Sequence, residues 1–328
     1  MWSGLKYYWH GAYFIPILFI WVLLPWLDEY KLKQDHASTI VREHPVTLFV
    51  LGNVQDGGSP HIGCNKKCCT RLFDRPDSNR MVVSFGLADH LQKKSWLIEA
   101  SPDISRQIQW LSRQLSTLNG LPDGILLTHA HIGHYTGLMY LGKEAMNSQD
   151  LPVYVQPRMK QFLETNGPWS QLVRLNNIRL IQTDTIFDLT QGIRIKTIPV
   201  PHRDEYSETV AYWIEGPVKK ALIIPDIDKW EKWDQDIRKL IHQVDYAFLD
   251  GTFYNEAEVN HRDIKEIPHP LIIESLSYFK DLKPLDKNKI YFVHLNHTNP
   301  LLDPSSAESL DVEKQGFHVA RKGMKFDL

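Results

Sequence analysis

Short apolar runs recur along the chain from about residue 45, and many of them end in a polar or charged residue. Runs of this length and punctuation are typical of buried β-strands. The predicted strands begin at Pro45, Met81, Ser95, Gly124, Pro152, Ile178, Ile193, Thr209, Lys219, Asp245 and Lys289. Between Ile104 and Leu118, apolar residues recur every three or four positions, which predicts a helix with one apolar face.

The order of these elements predicts the fold class. The strands come in groups with helices between some of them, and strict alternation of strand and helix is not seen. This order favours an α/β protein in which two sheets pack face to face under outer helices, an αββα sandwich. We predict one domain over residues 45–328, preceded by an N-terminal apolar helix and tether over residues 1–44.

The N-terminal region contains a long uncharged apolar stretch over residues 11–27. Its seventeen residues are just enough to span a bilayer, and tryptophans and tyrosines flank it on both sides. An uncleaved membrane anchor is the favoured interpretation, with a cleaved signal peptide and a buried core helix as alternatives. Positive charge is slightly richer before the stretch, so we expect the catalytic domain on the extracytoplasmic (periplasmic) side.

Composition and charge limit the classes of partner. With 43% hydrophobic and 23% charged residues, the chain resembles an ordinary globular protein that buries a full core. Its formal net charge of −2 gives no basic field for a polyanion, and we expect no nucleic-acid partner. A small-molecule substrate is expected, whereas its identity and the oligomeric state of the protein are left open.

Histidines cluster directly after the predicted strand at Gly124, in the run THAHIGH. His129 and His131 are two residues apart, so in an extended segment both imidazoles point the same way and can contact one metal ion. His134 follows in the same run. Three more ligand-type residues each end a later predicted strand: His202, Asp226 and His294. Each alone is most often structural, but together they predict a metal centre.

This constellation resembles the metallo-β-lactamase superfamily, in which an HxHxDH motif is followed by a distant His, a bridging Asp and a final His. The resemblance implies one metal on His129, His131 and His202, and a second on His134, Asp226 and His294, with Asp226 shared. Gly133 stands at the position of the motif's Asp. We therefore expect one tight active-site metal and a weak second one, zinc by preference, with iron and manganese as alternatives.

Longer segments resemble the pyrroloquinoline quinone biosynthesis protein B (PqqB) family from about residue 46 to the C-terminus. The similar segments are VQDGGSPHIGC, EASPD, HIGHYTGLMYLGKEAM, VPHRDEYSETVAYWI, IPDIDKW, LDGTFY and HLNHTNPLL. Within them, Glu99 and Asp103 are candidates for fixing the tautomer of a ligating imidazole. Arg203 and Glu205 are candidates for substrate contact or for a surface pair with each other.

A second metal cluster is indicated by the three cysteines, which lie within six residues. An odd number so closely spaced makes a poor disulfide framework but a reasonable start for a metal site. In related cyclic phosphodiesterases of phosphonate metabolism, cysteines here join a late histidine in a structural zinc site. The resemblance implies a structural zinc on Cys64, Cys68, Cys69 and His297. Free thiols and a vicinal redox pair are the alternatives.

The first cluster predicts a metal-dependent hydrolase. Three neutral imidazole ligands do not reduce the charge of the metal ion, and they leave one coordination position open. The ion can therefore activate a bound water as hydroxide, which would attack an ester, lactone or phosphodiester bond. We expect Asp226 to orient the hydroxide. His269, placed by resemblance, is the candidate acid for the leaving group, with an ordinary loop histidine as the alternative. The alternative functions are a PqqB-like iron-dependent oxygenase in quinone cofactor biosynthesis and a non-catalytic carrier.

Overall fold

The computed structural model describes residues 45–115, 120–259 and 267–328. The predicted anchor over residues 11–27 lies outside these residues, and the predicted division at residue 45 stays a prediction. In the described part of the chain, no helix has the length and apolar character needed to cross a membrane.

The described strands form two seven-stranded sheets. Their bounds are β1 Val46–Gly52, β2 Ser84–Asp89, β3 Lys94–Ile98, β4 Gly124–Leu126, β5 Leu151–Val155, β6 Ile178–Gln182, β7 Ile186–Thr190, β8 Ile193–Pro199, β9 Val210–Glu215, β10 Lys220–Ile224, β11 Tyr246–Asp250, β12 Ile290–Val293, β13 His318–Val319 and β14 Lys325–Asp327. The first sheet has the order β14-β1-β2-β3-β4-β5-β6 and the second β13-β12-β11-β10-β9-β8-β7.

Helices flank both sheets. The α-helices are α1 Lys67–Asp74, α2 Ile104–Leu115, α3 Ile132–Tyr135, α4 Pro157–Thr165, α5 Trp169–Arg174, α6 Ile237–Gln243, α7 Ile272–Tyr278, α8 Pro284–Lys287 and α9 Ala307–Lys314. Short 3₁₀ helices cover Thr136–Leu141, Trp230–Lys232, Glu256–Glu258 and Pro300–Leu302.

Three apolar clusters show how the layers pack. The central one joins the facing surfaces of the two sheets and contains Phe85, Tyr212 and Phe248. A second lies between the first sheet and the helices α2, α4 and α5, and a third between the second sheet and α6, α7 and α9. Each sheet is therefore buried on both faces, which explains why its central strands are continuous apolar runs. The predicted αββα sandwich is confirmed.

The parallel strands place the functional edge. β3 to β6 run parallel in the first sheet, and β10 to β13 run parallel in the second. Loops that follow parallel strands emerge at the same edge of a sheet, where α/β proteins commonly gather functional groups. The segments after β4, β10, β11 and β12 all leave the sheets in this way.

The sequence pattern missed some elements. β13 and β14 have only two and three residues, and β7 is a partly exposed edge strand, so none has a clear apolar run. The predicted strand at Met81 begins three residues later, at Ser84, because Val82 instead forms an isolated bridge with Val54. The helix predicted from Ile104 is α2, and it buries Ile104, Ile108 and Leu111.

Candidate metal centre

The first cluster joins loops that follow three strands. His129 and His131 come after β4, His202 after β8 and Asp226 after β10. His131 Nδ1 lies 3.3 Å from His202 Nε2, and Asp226 carboxylate oxygens lie 3.4 Å from His129 Nε2 and 3.8 Å from His202 Nε2. Ligands at the usual zinc distance in a tetrahedral site are about 3.4 Å apart. These four side chains therefore have the spacing of a metal-ligand set.

A second cluster shares Asp226 with the first. His134 comes from α3 and His294 follows β12, and their Nε2 atoms lie 2.8 Å and 3.3 Å from Asp226 Oδ2. The fourth member is Asp56, from the loop after β1. Its Oδ1 lies 3.1 Å from His134 Nε2 and 3.3 Å from His294 Nε2. Sequence reasoning missed Asp56, although it lies in the quoted segment VQDGG, where an acid precedes a glycine turn.

Hydrogen bonding provides a test of whether these residues fit a metal ion. Within the described residues, His129 Nε2, both ring nitrogens of His134 and both carboxylate oxygens of Asp226 are buried without a hydrogen-bond partner. Burying polar atoms in this condition is costly unless something compensates them. Divalent cations in the two clusters would compensate His129 Nε2, His134 Nε2 and both Asp226 oxygens, while His134 Nδ1 faces Glu99, so the residues fit a metal.

The protonation states also suit ligation. Burial lowers the pKa of His129 and His131, and it lowers that of His202 to about 4, so these imidazoles are neutral. Burial opposes ionisation of Asp56 and Asp226, but the neighbouring His134 and His294 hold the pKa of both carboxyl groups well below its usual value. Neutral imidazoles and ionised carboxylates are the forms that bind metals. His134 is the exception: burial opposes its charged form, but the carboxylates of Glu99, Asp226 and Asp56 outweigh burial and raise its pKa well above the usual value, so a metal ion would displace its proton.

Buried partners orient the imidazoles. Thr128 Oγ1 lies 2.8 Å from His129 Nδ1, and Glu99 Oε1 lies 3.5 Å from His134 Nδ1. Such contacts fix the tautomer that leaves Nε2 free for a metal. The prediction for Asp103 is not supported, since its carboxylate accepts hydrogen bonds from the Val82 amide and Arg106 and contacts neither cluster.

Asp250, the last residue of β11, and Thr252, which follows that strand, form a further buried group. The Thr252 hydroxyl donates to Asp250 Oδ1 at 2.7 Å and lies 2.9 Å from His294 Nδ1. Because the hydroxyl has one proton, His294 Nδ1 is the donor in the second contact. Sequence reasoning missed both residues, although Asp250 ends a predicted strand as Asp226 does.

His269 lies beside the two clusters, on the wall of a cavity of about 640 Å³. Its Nδ1 is 2.7 Å from Asp250 Oδ2 and 3.4 Å from Asp226 Oδ1. Burial opposes the charged form of His269, but the charges of Asp250 and Asp226 outweigh burial and raise its pKa above the usual value. A histidine paired in this way can hold a proton for donation into the cavity.

Arg203 and Glu205 pair with each other at 3.6 Å, and both are about half exposed. Arg203 also lines the cavity, and Glu205 Oε2 lies 3.6 Å from His131 Nε2. The surface pair expected from the sequence is therefore present. The position of Arg203 leaves it available to a negatively charged group in the cavity.

The four residues of the predicted structural zinc site also lie together. Cys64, Cys68 and Cys69 are free thiols, and the sulfur of Cys68 lies 3.9 Å from each of the other two. His297 completes a set whose ligand atoms all lie within 4.8 Å of one another. Burial lowers the pKa of His297 to about 4, which keeps the imidazole neutral. This closed set of four fits tetrahedral zinc.

Comparison with known proteins identifies the family. A family profile described as the beta-lactamase superfamily domain matches residues 95–295, more than half of the chain. The chain belongs to the beta-lactamase superfamily. Curated proteins named coenzyme PQQ synthesis protein B are similar to this chain in sequence. The protein from Nitrosococcus oceani is 28% identical over 314 residues, and that from Klebsiella pneumoniae is 26% identical over 313 residues. These alignments cover 86% of this chain and 99% and 98% of the relatives.

Solved structures in the superfamily share the fold. Zinc-bound PqqB from Methylobacterium extorquens has a TM-score of 0.70 at 24% identity, covering 86% of this chain and all of the other. A diphosphatase from the PhnP family has a TM-score of 0.60 at 20% identity, covering 86% of this chain and 96% of the other. At these identities the comparison establishes the fold and leaves the reaction open.

The prediction of a membrane-anchored, extracytoplasmic protein is wrong. The relatives named coenzyme PQQ synthesis protein B align over almost their whole length with 86% of this chain, and this similarity supports no anchor. Among the residues that the structure describes, no helix could span a bilayer. The predicted hydrolytic function is supported only at the level of the superfamily, because the similar curated proteins are named for the synthesis of a cofactor.

Proposed function

We propose that this chain is a PqqB-like metalloenzyme that converts a small molecule in the biosynthesis of a quinone-type cofactor. The observation that carries the proposal is the convergence of buried, unpartnered ligand atoms on Asp226 from both sides, within the described residues. The similarity to coenzyme PQQ synthesis protein B over nearly the full length of those relatives supports the biosynthetic role.

The donor set bears on the choice of metal. His129, His131 and His202 would hold the first ion, His134 and His294 the second, with Asp226 between them. Imidazole and carboxylate together suit zinc, iron and manganese. Zinc is present in the PqqB structure from Methylobacterium extorquens. Bound iron would favour an oxygenase, whereas zinc would favour hydrolysis.

The protein residues have defined tasks in either reaction. A divalent ion in such a site lowers the pKa of a bound water and polarises a substrate oxygen. Thr128, Glu99 and Thr252 hold three ligating imidazoles in position. Asp250 holds His269 through Nδ1, which leaves Nε2 to exchange a proton with a substrate in the cavity.

Hydrolysis of an ester, lactone or phosphodiester bond is the second candidate function. The pairing of His269 with Asp250 favours it, because cleavage of such bonds requires a proton for the leaving group. Arg203 on the cavity wall would suit a substrate that carries a carboxylate or phosphate.

Genetic complementation combined with metal analysis tests the proposal. The full chain and its His131→Ala variant would be expressed in a Methylorubrum extorquens strain that lacks its own PqqB, and coenzyme PQQ would be measured. Restoration by the wild type alone supports the biosynthetic role. Failure to restore PQQ, together with metal-dependent cleavage of generic esters, lactones or phosphodiesters, would favour the second candidate. Neither activity in a metal-loaded protein would indicate a carrier.

A further inference from the structure

Gly133 lies directly against Asp56, with no room between them for a side chain at residue 133. Gly133 stands where the superfamily motif has an aspartate, yet the second cluster still contains two carboxylates, those of Asp56 and Asp226. A Cβ atom built on Gly133 would lie 2.7 Å from the Cα of Asp56, closer than real Cβ atoms approach another atom. The backbone at Asp56 thus fills the position that a side chain at residue 133 would need.

Main-chain bonds hold Asp56 at this place. Val54, two residues before it, forms isolated bridges with Val82 and Leu295. The Gln55 amide donates to the Leu295 carbonyl at 2.9 Å, and the Leu295 amide donates to the Asn53 carbonyl at 2.7 Å. The loop of Asp56 is therefore tied directly to the segment that carries His294. The short distance between Asp56 and His294 follows from this register.

The imidazole of His134 faces Asp56 and is free to bind a metal ion. His134 is fully buried, and in the described part of the protein its Nε2, which faces Asp56, has no hydrogen-bond partner. Its Nε2 lies 3.1 Å from Asp56 Oδ1 and 2.8 Å from Asp226 Oδ2, close enough for all three atoms to reach one ion.

We propose that Asp56 is a ligand of the second metal ion and replaces the carboxylate that the motif loses at Gly133. This inference rests on the proposed metal centre and changes the expectation for it: the second site keeps two carboxylates, so a divalent transition metal binds there tightly. Glycine at residue 133 is required because Asp56 lies against it. The two positions form an exchange pair, in which the carboxylate comes from one or the other.

Titration of the metal-free full chain with Co²⁺ tests this inference, followed by optical absorption and by metal counting. The wild type is expected to bind two active-site ions in addition to the metal of the cysteine cluster. Asp56→Asn should weaken one of the two by more than the roughly 10- to 100-fold caused by loss of an outer partner. Asp204→Asn is a matched control, because that carboxylate pairs with Arg158 and belongs to neither cluster.

The exchange is tested by moving the carboxylate. Gly133→Asp alone should lose the second ion or destabilise the protein, because the new side chain meets Asp56. The double variant Asp56→Gly with Gly133→Asp removes the clash with the Asp56 side chain but keeps the clash with the Cα of residue 56, so it should bind the second ion more tightly than Gly133→Asp alone while melting below the wild type. If this double variant fails to fold, the Asp56→Asn titration still decides the question, since Co²⁺ binding at the cysteine cluster, seen in the optical absorption, reports whether the protein is intact.

Two outcomes separate this inference from the proposed function. A wild type that binds one active-site ion, with no change in Asp56→Asn, would overturn the role of Asp56 and leave a metalloenzyme with a single ion. A wild type that binds two ions, of which Asp56→Asn loses one, supports the role of Asp56 even if neither PQQ formation nor hydrolysis is detected.

Discussion

Thr252 offers a test of how the protein holds the metal centre without removing a ligand. Thr252→Val keeps the shape of the side chain and deletes the hydroxyl that accepts from His294 Nδ1 at 2.9 Å and donates to Asp250 at 2.7 Å. Asp250 Oδ1 keeps the Thr252 amide as a donor at 2.9 Å. The main loss is therefore the acceptor of a buried imidazole N–H.

The size of the effect follows from the burial of that group. A buried donor left without its acceptor costs about 1–3 kcal/mol. If this cost falls on the orientation of His294, the affinity for the second metal ion should drop by roughly 5- to 150-fold, since 1.4 kcal/mol corresponds to a factor of ten. The first cluster shares no contact with Thr252, and its affinity should change much less.

Competition titration with a chromophoric chelator measures both affinities. Thr252→Ser keeps the hydroxyl and should bind metal as the wild type does. Thr209→Val is the matched control, because the Thr209 hydroxyl is buried but has no hydrogen-bond partner among the described residues. Unchanged affinity in Thr252→Val, or an equal loss in Thr209→Val, would refute the claim that the hydroxyl orients His294.

Three further substitutions separate the roles of the clusters. His131→Ala should remove the ion of the first cluster and abolish metal-dependent activity, as measured by metal content and turnover; retained activity would exclude this cluster from catalysis. Cys69→Ala should remove one zinc per chain and lower the melting temperature by about 2–8 °C, the shift that 1–2 kcal/mol gives in a large domain. An equal loss of active-site metal in that variant would contradict the separation of the two sites. His269→Gln should lower turnover about 10²- to 10⁴-fold at unchanged metal content, and equal turnover would exclude His269 as the acid.

The sequence predicted most of the centre because its ligands mark strand ends. His129, His202, Asp226 and His294 each follow or end an apolar run, and the fold brings these ends to one edge. Asp56 gave no such signal, because its place depends on main-chain bridges from Val54 to Val82 and Leu295, which are 28 or more residues away in the chain. A pattern read locally contains no information on such a contact.

The same limit applies to the number of carboxylates predicted for the second metal site. The motif alone indicated one carboxylate fewer at Gly133 and hence a weak second site. In the structure, the space left by the missing side chain is filled by a loop that carries a carboxylate of its own. Two adjacent cations need nearby negative charge, and which segment supplies it matters little to the electrostatics. The ligands of a site are thus the residues that the fold brings together in space, whereas a sequence motif shows only those ligands that are close to one another in the chain.

Backbone geometry explains why two of the functional side chains point into the centre. Glu99 and His294 directly follow β3 and β12, and both adopt left-handed backbone angles, with φ of 72° and 61°. An L-residue in this region costs about 1–2 kcal/mol, which glycine would avoid. The turn takes each side chain out of the alternating pattern of its strand and directs it to the metal centre at the edge of the sheets. The strain is retained because both positions need a side chain: Glu99 contacts His134, and His294 contacts Asp226. Glycine would make neither contact.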